Sequence, residues 1–529
     1  MNRFIFFIIV GFALLGPLAV ASPHELKVNI RDMGASGHKS EDVTAILQTA
    51  IDRCNNAGGG QVFIPPGEYT ATTIELKSHV TLYLAAGAIL YASNDSNAYQ
   101  KRVRNVGKVK LPALIYARGA RHIAIKGAGI IRGQPEFYAI PLEPYDFIQE
   151  EYAIARAAGL TPMHWLRKEP LVMLMYLTEC EGVMIEDVSL IDSPFWALHL
   201  HWCQHVKVRD IYIQSDLEKA ANSDGLDIDG CRDVTISGCT IKTADDAICI
   251  KSTANDGQFR DCENVIVSNC ILISSSCALK LGTESHGNFR HIIFNHCVIR
   301  NTNRGLGIFI RDGGTASHII FSDISMECNR RATQWWGSGD AFRFVVLKRH
   351  PDSRVGSIQN VMVKNIIAET QGTSRIECLA GCQQISNVTL SDVQIKMVRE
   401  SQPDKRCRRG LEIINVERVR LQNISLIWDQ SDPEPQWEET LLLQDVNTIW
   451  VDHFAANASN HQSRAAILVL KNVKDGVFQN CIAQPPAPLF VSISGQKTSD
   501  LIFKNNFLKH ARQKWFMAAE INRKTIYFE

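Results

Sequence analysis

A phrase of alternating apolar residues recurs about every 27 residues along most of this chain, as in "DVTISGCTIKT", "NVIVSNCILIS" and "NVTLSDVQIKM". Alternation with a period of two is typical of strands that bury one face. Regular recurrence at this period means that each unit stacks on its neighbours instead of closing a core alone. The first core residues of the phrases are Val183, Val206, Val234, Val265, Ile292, Ile319, Val361, Val388 and Val419. Weaker copies begin near Val80, Ile123, Trp450, Val477 and Ile502.

Short strands joined by turns predict an all-β chain, a parallel β-helix of roughly a dozen coils. A β-propeller is excluded because its blades need about 40 or more residues each. Residues 40–55 supply a helical cap for the N-terminal end of the solenoid, with Val43, Leu47 and Ile51 on one face and Ser40 as the N-cap.

The repeat is interrupted once by a long insertion, at about residues 136–169. Its segment 145–159, "YDFIQEEYAIARAAG", has a helical pattern. Extra loops on a regular scaffold usually shape a binding site. We therefore expect residues 22–529 to form one β-helix domain that carries this partly helical insertion.

The N-terminus has the pattern of a secretory signal peptide. An apolar run follows Arg3 and ends in Ala19, Val20 and Ala21, a cleavage pattern of small residues. We expect residues 1–21 to be removed and the chain to be exported to the periplasm or outside the cell; the alternative is an uncleaved N-terminal anchor. No second apolar run is long enough to cross a bilayer.

Charge and cysteine content exclude several classes of partner. The formal net charge is +1, which gives no support for nucleic-acid binding. The fifteen cysteines lack the spacing of a zinc site or of a small disulfide scaffold. Cys239, Cys270 and Cys297 occupy equivalent places in successive phrases, so we interpret them as a row of buried thiols. We expect no cofactor and no metal, and a monomer.

Two acidic clusters stand one short repeat apart: Asp224 in "NSDG" and the pair Asp245 and Asp246 in "ADD". Equivalent positions on stacked coils lie about 4.8 Å apart, so the repeat should gather the three carboxylates in one patch on the outer surface. Crowding raises the pKa of one carboxyl group, and a protonated acid beside an ionised base suits glycosidic bond cleavage. Either motif by itself would more often be a turn.

These motifs resemble glycoside hydrolase family 28, the polygalacturonase family of right-handed parallel β-helices (pectin-lyase-like solenoids) that hydrolyse pectic polysaccharides. Residues 222–225 match the N-[TS]-D-G element, and "ADDAICIKS" matches the G-D-D element with Ala244 in place of glycine. "SPFWALHL", "GGGQVFIPPGEY" and "LKSHVTLYLAAGAIL" are also similar to family sequences.

The resemblance implies that Asp245 is the general acid and that Asp224 and Asp246 activate the attacking water, with inversion at the anomeric carbon. Inversion predicts carboxyl groups about 6.5–9.5 Å apart. Asn222 belongs to the same motif and is a candidate substrate-binding residue.

Two substrate-binding elements of the family are altered. Cys277 stands at the position of the family histidine, and His286 in "ESHG" is either a displaced equivalent or a solvated loop residue. The family's R-I-K is replaced by "GLGIFIRDGG". Lys251, Lys280 and Arg311 are candidates to bind a substrate carboxylate; each could instead be a surface charge. The resemblance implies a pectic polysaccharide or oligosaccharide as the substrate, such as a galacturonan or rhamnogalacturonan fragment, and the altered elements leave the exact sugar open.

Two other functions stay open. A pectate lyase shares the β-helix but needs calcium and a basic residue that removes a proton, and the three aspartates could imitate a calcium site. A non-catalytic β-helix would bind glycans without releasing reducing ends.

Overall fold

The computed structural model describes residues 26–106, 109–134, 140–142, 149–160, 164–166, 171–331, 336–460 and 465–529. The predicted signal peptide and much of the predicted insertion lie outside these residues. Among the described helices, none has the length and apolar character that a membrane crossing requires.

Two long parallel sheets form the protein, and the prediction of a parallel β-helix is confirmed. The larger, here sheet 1, has 26 strands and the smaller, sheet 2, has 15. The strands of sheet 1 are Lys27–Asn29, Gly60–Ile64, Gly67–Ala71, Val80–Leu84, Ala88–Ala92, Arg121–Lys126, Ile130–Arg132, Glu181–Glu186, Ser189–Ile191, Gln204–Arg209, Tyr212–Gln214, Arg232–Ser237, Thr240–Thr243, Cys262–Ser268, Ile271–Ser274, Phe289–Asn295, Val298–Thr302, Thr315–Cys328, Ser357–Thr370, Ile385–Met397, Val416–Trp428, Asn447–Ala456, Lys474–Gln479, Ile482–Ala483, Ser499–Lys504 and Ile526–Phe528. Those of sheet 2 are Ile74–Glu75, Ala113–Arg118, Met173–Thr178, Leu198–His201, Leu226–Asp229, Ile248–Ser252, Cys277–Ser285, Arg304–Ile310, Asp340–Val346, Ser374–Cys378, Leu411–Ile414, Leu441–Gln444, Ala466–Lys471, Leu489–Ser494 and Gln513–Met517.

The alternating phrases form sheet 1, and their first core residues stack in register. Val206 pairs with Val234, and Val234 pairs with Val265. In the last coils the register places Ile449, Gly476 and Leu501 in this row, one residue before the weaker copies predicted from sequence. All of these residues except Gly476 are apolar and buried, and burial of each large apolar side chain stabilises the fold by about 1.5–3 kcal/mol.

The Asn or Asp inside many phrases makes the bend of sheet 1. Asn365 and Asn423 have φ of 52° and 53°, the left-handed region that Asn and Asp tolerate better than other side chains. Each donates from Nδ2 to an aspartate one coil earlier, Asn365 to Asp323 at 2.6 Å and Asn423 to Asp392 at 2.7 Å. The predicted cysteine row follows this bend, and all fifteen cysteines are free thiols.

A helix at Thr44–Asn56 covers the N-terminal end and buries Leu47, Ala50 and Ile51, as the apolar pattern predicts. The N-cap prediction was wrong: the helix begins four residues after Ser40, and the Asp42 carboxylate accepts from the Thr44 amide at 2.8 Å. Aspartate can satisfy such an amide as well as serine can.

The longer connections leave one corner of the solenoid, just before the strands of sheet 2. They are residues 93–112, 133–172, 215–225, 329–339, 398–410 and 429–440. The first contains an antiparallel hairpin of Arg104–Val106 and Val109–Leu111; the second contains Ile140–Leu142 paired with His164–Leu166 and the helix Gln149–Ala157. The acidic motifs of the sequence lie at this same corner.

Candidate active site

Three aspartates meet at the corner that precedes sheet 2. Leu226 pairs with Ile248, so Asp224 stands opposite Asp246 on the neighbouring coil. One carboxylate oxygen from each of Asp224, Asp245 and Asp246 lies within 4.8 Å of the other two. This is closer than the 6.5–9.5 Å predicted for an inverting pair.

The three carboxylates are buried, which corrects the prediction of a patch on the outer surface. Asp224 and Asp246 are 2% exposed and Asp245 is 6% exposed. Two lysines and an aromatic ring from neighbouring coils cover them, so burial comes from side chains packed over the corner.

Asp224 is held by a lysine that it shares with a fourth carboxylate. Lys251 Nζ lies 2.9 Å from Asp224 Oδ2 and 2.8 Å from Asp227 Oδ1. The same ammonium sits 3.7 Å from the centre of the Trp196 ring, a cation–π contact. Asp224 Oδ1 and Asp227 Oδ2 accept no hydrogen bond from the described residues.

Asp246 has its own ammonium and a hydroxyl donor. Lys280 Nζ lies 2.6 Å from Asp246 Oδ2, and Ser276 Oγ donates to Asp246 Oδ1 at 2.9 Å. Both partners come from the next coil, so stacking supplies them.

Asp245 differs from its two neighbours because it makes no ion pair with any described residue. Asn222 Nδ2 donates to Asp245 Oδ2 at 3.1 Å, and the Asp246 amide donates to Asp245 Oδ1 at 3.0 Å. Amide donors hold the carboxyl group in place without supplying the charge that keeps it ionised.

These surroundings separate the pKa values of the carboxyl groups. Burial, then the charges of Asp224 and Asp246, raise the pKa of Asp245 well above its usual value. Burial also opposes ionisation of Asp246, but Lys280 and Lys251 outweigh it and lower its pKa. The site therefore places a protonated acid beside an ionised base.

The pKa of Asp224 is raised by burial and by Asp246, against the opposing pull of Lys251. Burial and then the Asp224 charge raise the pKa of Asp227 well above its usual value. Burial alone would lower the lysine pKa values, yet the adjoining carboxylates raise them for both Lys251 and Lys280. Both ammonium groups stay charged at any ordinary pH.

The sequence did not indicate that Asp227, Ser276 and Trp196 belong to the site. Asp227 alternates with Asp229 in the strand Leu226–Asp229, and two acidic residues among apolar ones were the available signal. Trp196 lies in "SPFWALHL", a stretch that indicated a family resemblance but no chemical role for the tryptophan.

The candidate substrate-binding residues separate into two groups. Asn222, Lys251 and Lys280 contact the aspartates, so both lysine ammonium groups are engaged by protein carboxylates. His286 and Arg311 lie at the opposite end of the sheet 2 strands, and no described contact joins either to the three aspartates.

At that opposite corner, the His286 amide donates to the Ser252 carbonyl at 3.0 Å, and its ring is 5.9 Å from Phe259. The Arg311 amide donates to Ser285 Oγ at 2.8 Å. Burial and the neighbouring Arg349 lower the pKa of the Arg311 guanidinium. Cys277, one coil beyond Asp246, is buried and donates its thiol to the Leu279 carbonyl at 3.4 Å.

The three carboxylates are also the group whose spacing could suit a divalent cation. The Lys251 and Lys280 ammonium groups already neutralise two of them at 2.9 and 2.6 Å. A cation would have to compete with both, so this donor set fits acid–base chemistry better than a calcium site.

Beyond the aspartates towards the N-terminus, the outward face of sheet 2 carries a buried polar network. His199 Nε2 lies 3.2 Å from Asp229 Oδ2, and Arg104 Nη2 lies 3.6 Å from the same oxygen. His201 Nδ1 lies 3.2 Å from the Tyr176 hydroxyl. Burial lowers the pKa of His199 to about 3 and that of His201 to about 4, so both rings are neutral. Arg104 belongs to the hairpin in residues 93–112, which closes this end of the face.

Two family models match separate parts of the chain. Residues 164–410 match "Glycosyl hydrolases family 28", and residues 27–110 match "Rhamnogalacturonase A/epimerase, pectate lyase-like". The predicted family resemblance is confirmed over the first range, and the enzyme class that it indicates is a glycosidase.

Curated relatives include a probable polygalacturonase of Vitis vinifera, 23% identical over 49% of this chain and 52% of its own length. Rhamnogalacturonase A of Emericella nidulans is 24% identical over 51% of this chain and 45% of its own length. The chain spans about half the length of these relatives.

Two solved structures share the fold. A Thermotoga maritima exopolygalacturonase has a TM-score of 0.58 and 24% identity, covering 70% of this chain and 87% of its own. A Yersinia enterocolitica family 28 exopolygalacturonase has a TM-score of 0.54 and 17% identity, covering 94% of this chain and 79% of its own.

Proposed function

Because residues 164–410 are a glycosyl hydrolase family 28 region, we propose that this chain hydrolyses glycosidic bonds in pectic polysaccharide. Asp245 is the general acid that protonates the departing oxygen. Asp224 and Asp246 hold the attacking water and remove its proton. The observation that carries this proposal is the contrast in charge environment: Asp245 has no cation, and each of its neighbours has one.

The substrate is a galacturonan or a rhamnogalacturonan fragment. Relatives named polygalacturonase and rhamnogalacturonase support this range. Export also belongs to the proposal, because the apolar N-terminal run of the sequence has the pattern of a signal peptide and such polymers lie outside the cytoplasm.

We propose further that hydrolysis proceeds from a chain end. On the N-terminal side of the aspartates, Tyr176, His199 and Asp229 are at most 3% exposed, leaving no room for a polymer to continue. On the other side, Lys280 and, two coils further on, Arg343 lie at the same outward position of sheet 2 and are only half-buried. The exopolygalacturonase names of the two solved structures agree with this proposal.

The deciding experiment is product analysis on homogalacturonan and rhamnogalacturonan fragments, with Asp245→Asn as the control. Release of a single small product from the first minutes supports chain-end hydrolysis, and a ladder of fragments contradicts it. Absence of new reducing ends on every fragment would leave glycan binding as the function. Growth of ultraviolet absorbance from an unsaturated product, abolished by a chelator, would indicate a lyase.

The anomer of the first product tests the stereochemical course. Inversion is proposed because Asp224 and Asp246 together can hold a water beside the acid. The close approach of the carboxylates, with one oxygen of each within 4.8 Å of the others, is the one observation that favours retention, since retaining pairs stand closer together than inverting pairs. Proton NMR of the product within the first turnover distinguishes the two anomers.

A further inference from the structure

Two buried ammonium groups stand among the carboxylates of the candidate site. Lys251 is 4% exposed and Lys280 is 15% exposed at the side chain. Each reaches from its own coil to the preceding coil, where Lys251 contacts Asp224 and Asp227 and Lys280 contacts Asp246. The third aspartate of the site, Asp245, receives only amide donors.

We propose that Lys251 and Lys280 are positioning residues that decide which carboxyl group of the site carries the catalytic proton. Lys280 holds Asp246 in its ionised form, Lys251 opposes the protonation of Asp224, and Asp245, with no ammonium, is left as the acid. The inference rests on the proposed hydrolysis and assigns the lysines a task other than substrate binding.

The geometry argues against direct substrate binding by Lys251. Its ammonium is enclosed by Asp224, Asp227 and the face of Trp196, at 2.9, 2.8 and 3.7 Å. A substrate carboxylate could reach it only by displacing a buried protein carboxylate. Such displacement would strand a buried charge, which costs several kcal/mol, roughly 3–5.

The charges of the two lysines affect the pKa values of the whole aspartate cluster. Opposite charges within about 4–6 Å typically lower an aspartate pKa by 1–3 units, and a like charge raises it. Lys280 lowers the pKa of Asp246 and Lys251 opposes the protonation of Asp224, so among the three aspartates of the site the proton is held on Asp245, which has no ion pair. Without Lys280, Asp246 and Asp245 would compete for that proton on similar terms. The titratable and charged groups that face the two ion pairs are Asp224, Asp227, Asp245, Asp246, Cys249, His199 and Glu284.

The test measures pH profiles of kcat/KM for Lys280→Met and Lys251→Met, on whichever pectic fragment the wild type cleaves. Removal of an ammonium raises the pKa of its aspartate, so the acidic limb should move to higher pH by about one unit. We expect kcat to fall about tenfold at pH 5 with KM little changed, because part of the enzyme then holds its proton on the base.

Matched variants distinguish charge from packing. Lys280→Arg keeps the charge and should return the acidic limb to within a few tenths of a unit of the wild type. Lys207→Met removes an exposed lysine of sheet 1 and should leave the profile unchanged. If Lys251→Met folds poorly because Asp224 and Asp227 lose their counter-ion, Lys280→Met carries the test alone, since that lysine is partly exposed.

An acidic limb that stays in place in folded Lys280→Met would overturn the inference. So would a rise in KM with unchanged kcat, which is the signature of substrate binding. These outcomes differ from failure of the proposed function itself, in which the wild type releases no reducing ends or Asp245→Asn remains active.

Discussion

Two buried ionic clusters occupy the same corner of the solenoid and are built differently. Besides the aspartate cluster, a second cluster joins the connections 329–339 and 398–410. There Arg330 lies 2.7 Å from Glu400 and binds both oxygens of Asp404 at 2.8 and 2.7 Å. Glu400 Oε1 accepts the amides of Arg406 and Cys407 at 2.8 and 2.6 Å. Every carboxylate oxygen of this cluster accepts a hydrogen bond.

In the aspartate cluster, some carboxylate oxygens accept no hydrogen bond from the described residues. Four carboxyl groups share two ammonium groups, and Asp224 Oδ1 and Asp227 Oδ2 accept no hydrogen bond from the described residues. A satisfied ionic cluster fixes one loop conformation, whereas buried acceptors without partners cost stability. The Arg330 cluster therefore stabilises the two connections, whereas the aspartate cluster leaves acceptors that we propose bind a substrate and a water.

The largest effect expected is on activity at the aspartate cluster. Asp245→Asn should lower kcat by about 10²–10⁴-fold, because an amide cannot donate the proton that the departing oxygen needs. Its melting temperature should not fall, since the amide replaces a group that is neutral in the folded protein. Initial-rate assays and calorimetry measure the two. A variant that melts much lower while its remaining folded fraction turns over normally would make Asp245 a structural residue.

The Arg330 cluster should show the opposite pattern. Arg330→Met removes one partner of a buried pair and should lower the free energy of unfolding by about 3–5 kcal/mol. Urea denaturation measures it, and kcat per folded molecule should stay at the wild-type value.

Arg418→Met is the control for that measurement. Arg418 pairs with Glu417 at 2.6 Å and is 48% exposed, so its loss should cost at most about 1 kcal/mol. Equal losses from the Arg330 and Arg418 variants would contradict the stabilising role of the buried cluster.

The pH dependence of stability should also report the protonation of Asp245 in the aspartate cluster. Burial and two neighbouring carboxylates raise the pKa of Asp245, so the folded protein binds this proton more tightly than the unfolded chain. The stabilisation is therefore complete below the unfolded pKa of about 3.9 and is lost as pH rises towards the folded value. Relative to the wild type, Asp245→Asn should become more stable as pH rises from 4 to 8, by urea denaturation. A constant difference between the two proteins across that range would contradict the raised pKa.

The smallest effect is expected at the opposite corner. His286 makes a main-chain hydrogen bond and a ring contact with Phe259, and no described contact with the aspartates. His286→Ala should change the free energies of unfolding and of activation by no more than about 0.5 kcal/mol. A loss of kcat/KM beyond tenfold would return His286 to the substrate-binding residues.

Much of the scaffold was predictable because each coil repeats the same local information. The core row from Val183 to Val419 was identified in register, since period-two alternation fixes which face is buried. The row was displaced by one residue in the last coils, where Ile449, Gly476 and Leu501 take the core position and each is followed directly by another apolar residue. Two apolar residues in succession break the alternation, and at Gly476 the core residue has no side chain to mark it.

The candidate site was only partly predictable. Gathering of the three aspartates at one place followed from the repeat, but the pairing of Asp224 with Asp246 and the partners of these carboxylates did not. Lys251 and Lys280 are 27 and 34 residues away from the aspartates that they bind, and sequence alone assigned them to substrate. Arg311 was predicted to bind a substrate carboxylate, although its strand ends at Ile310 and the chain turns away.

By itself the sequence determined the solenoid and the gathering of three aspartates, because both follow from a pattern repeated coil after coil. Tertiary structure decided which carboxylate receives a cation and which end of sheet 2 is closed. These depend on the directions of side chains at corners and in long connections, where no repeat constrains the backbone and neighbours from different coils determine the charge.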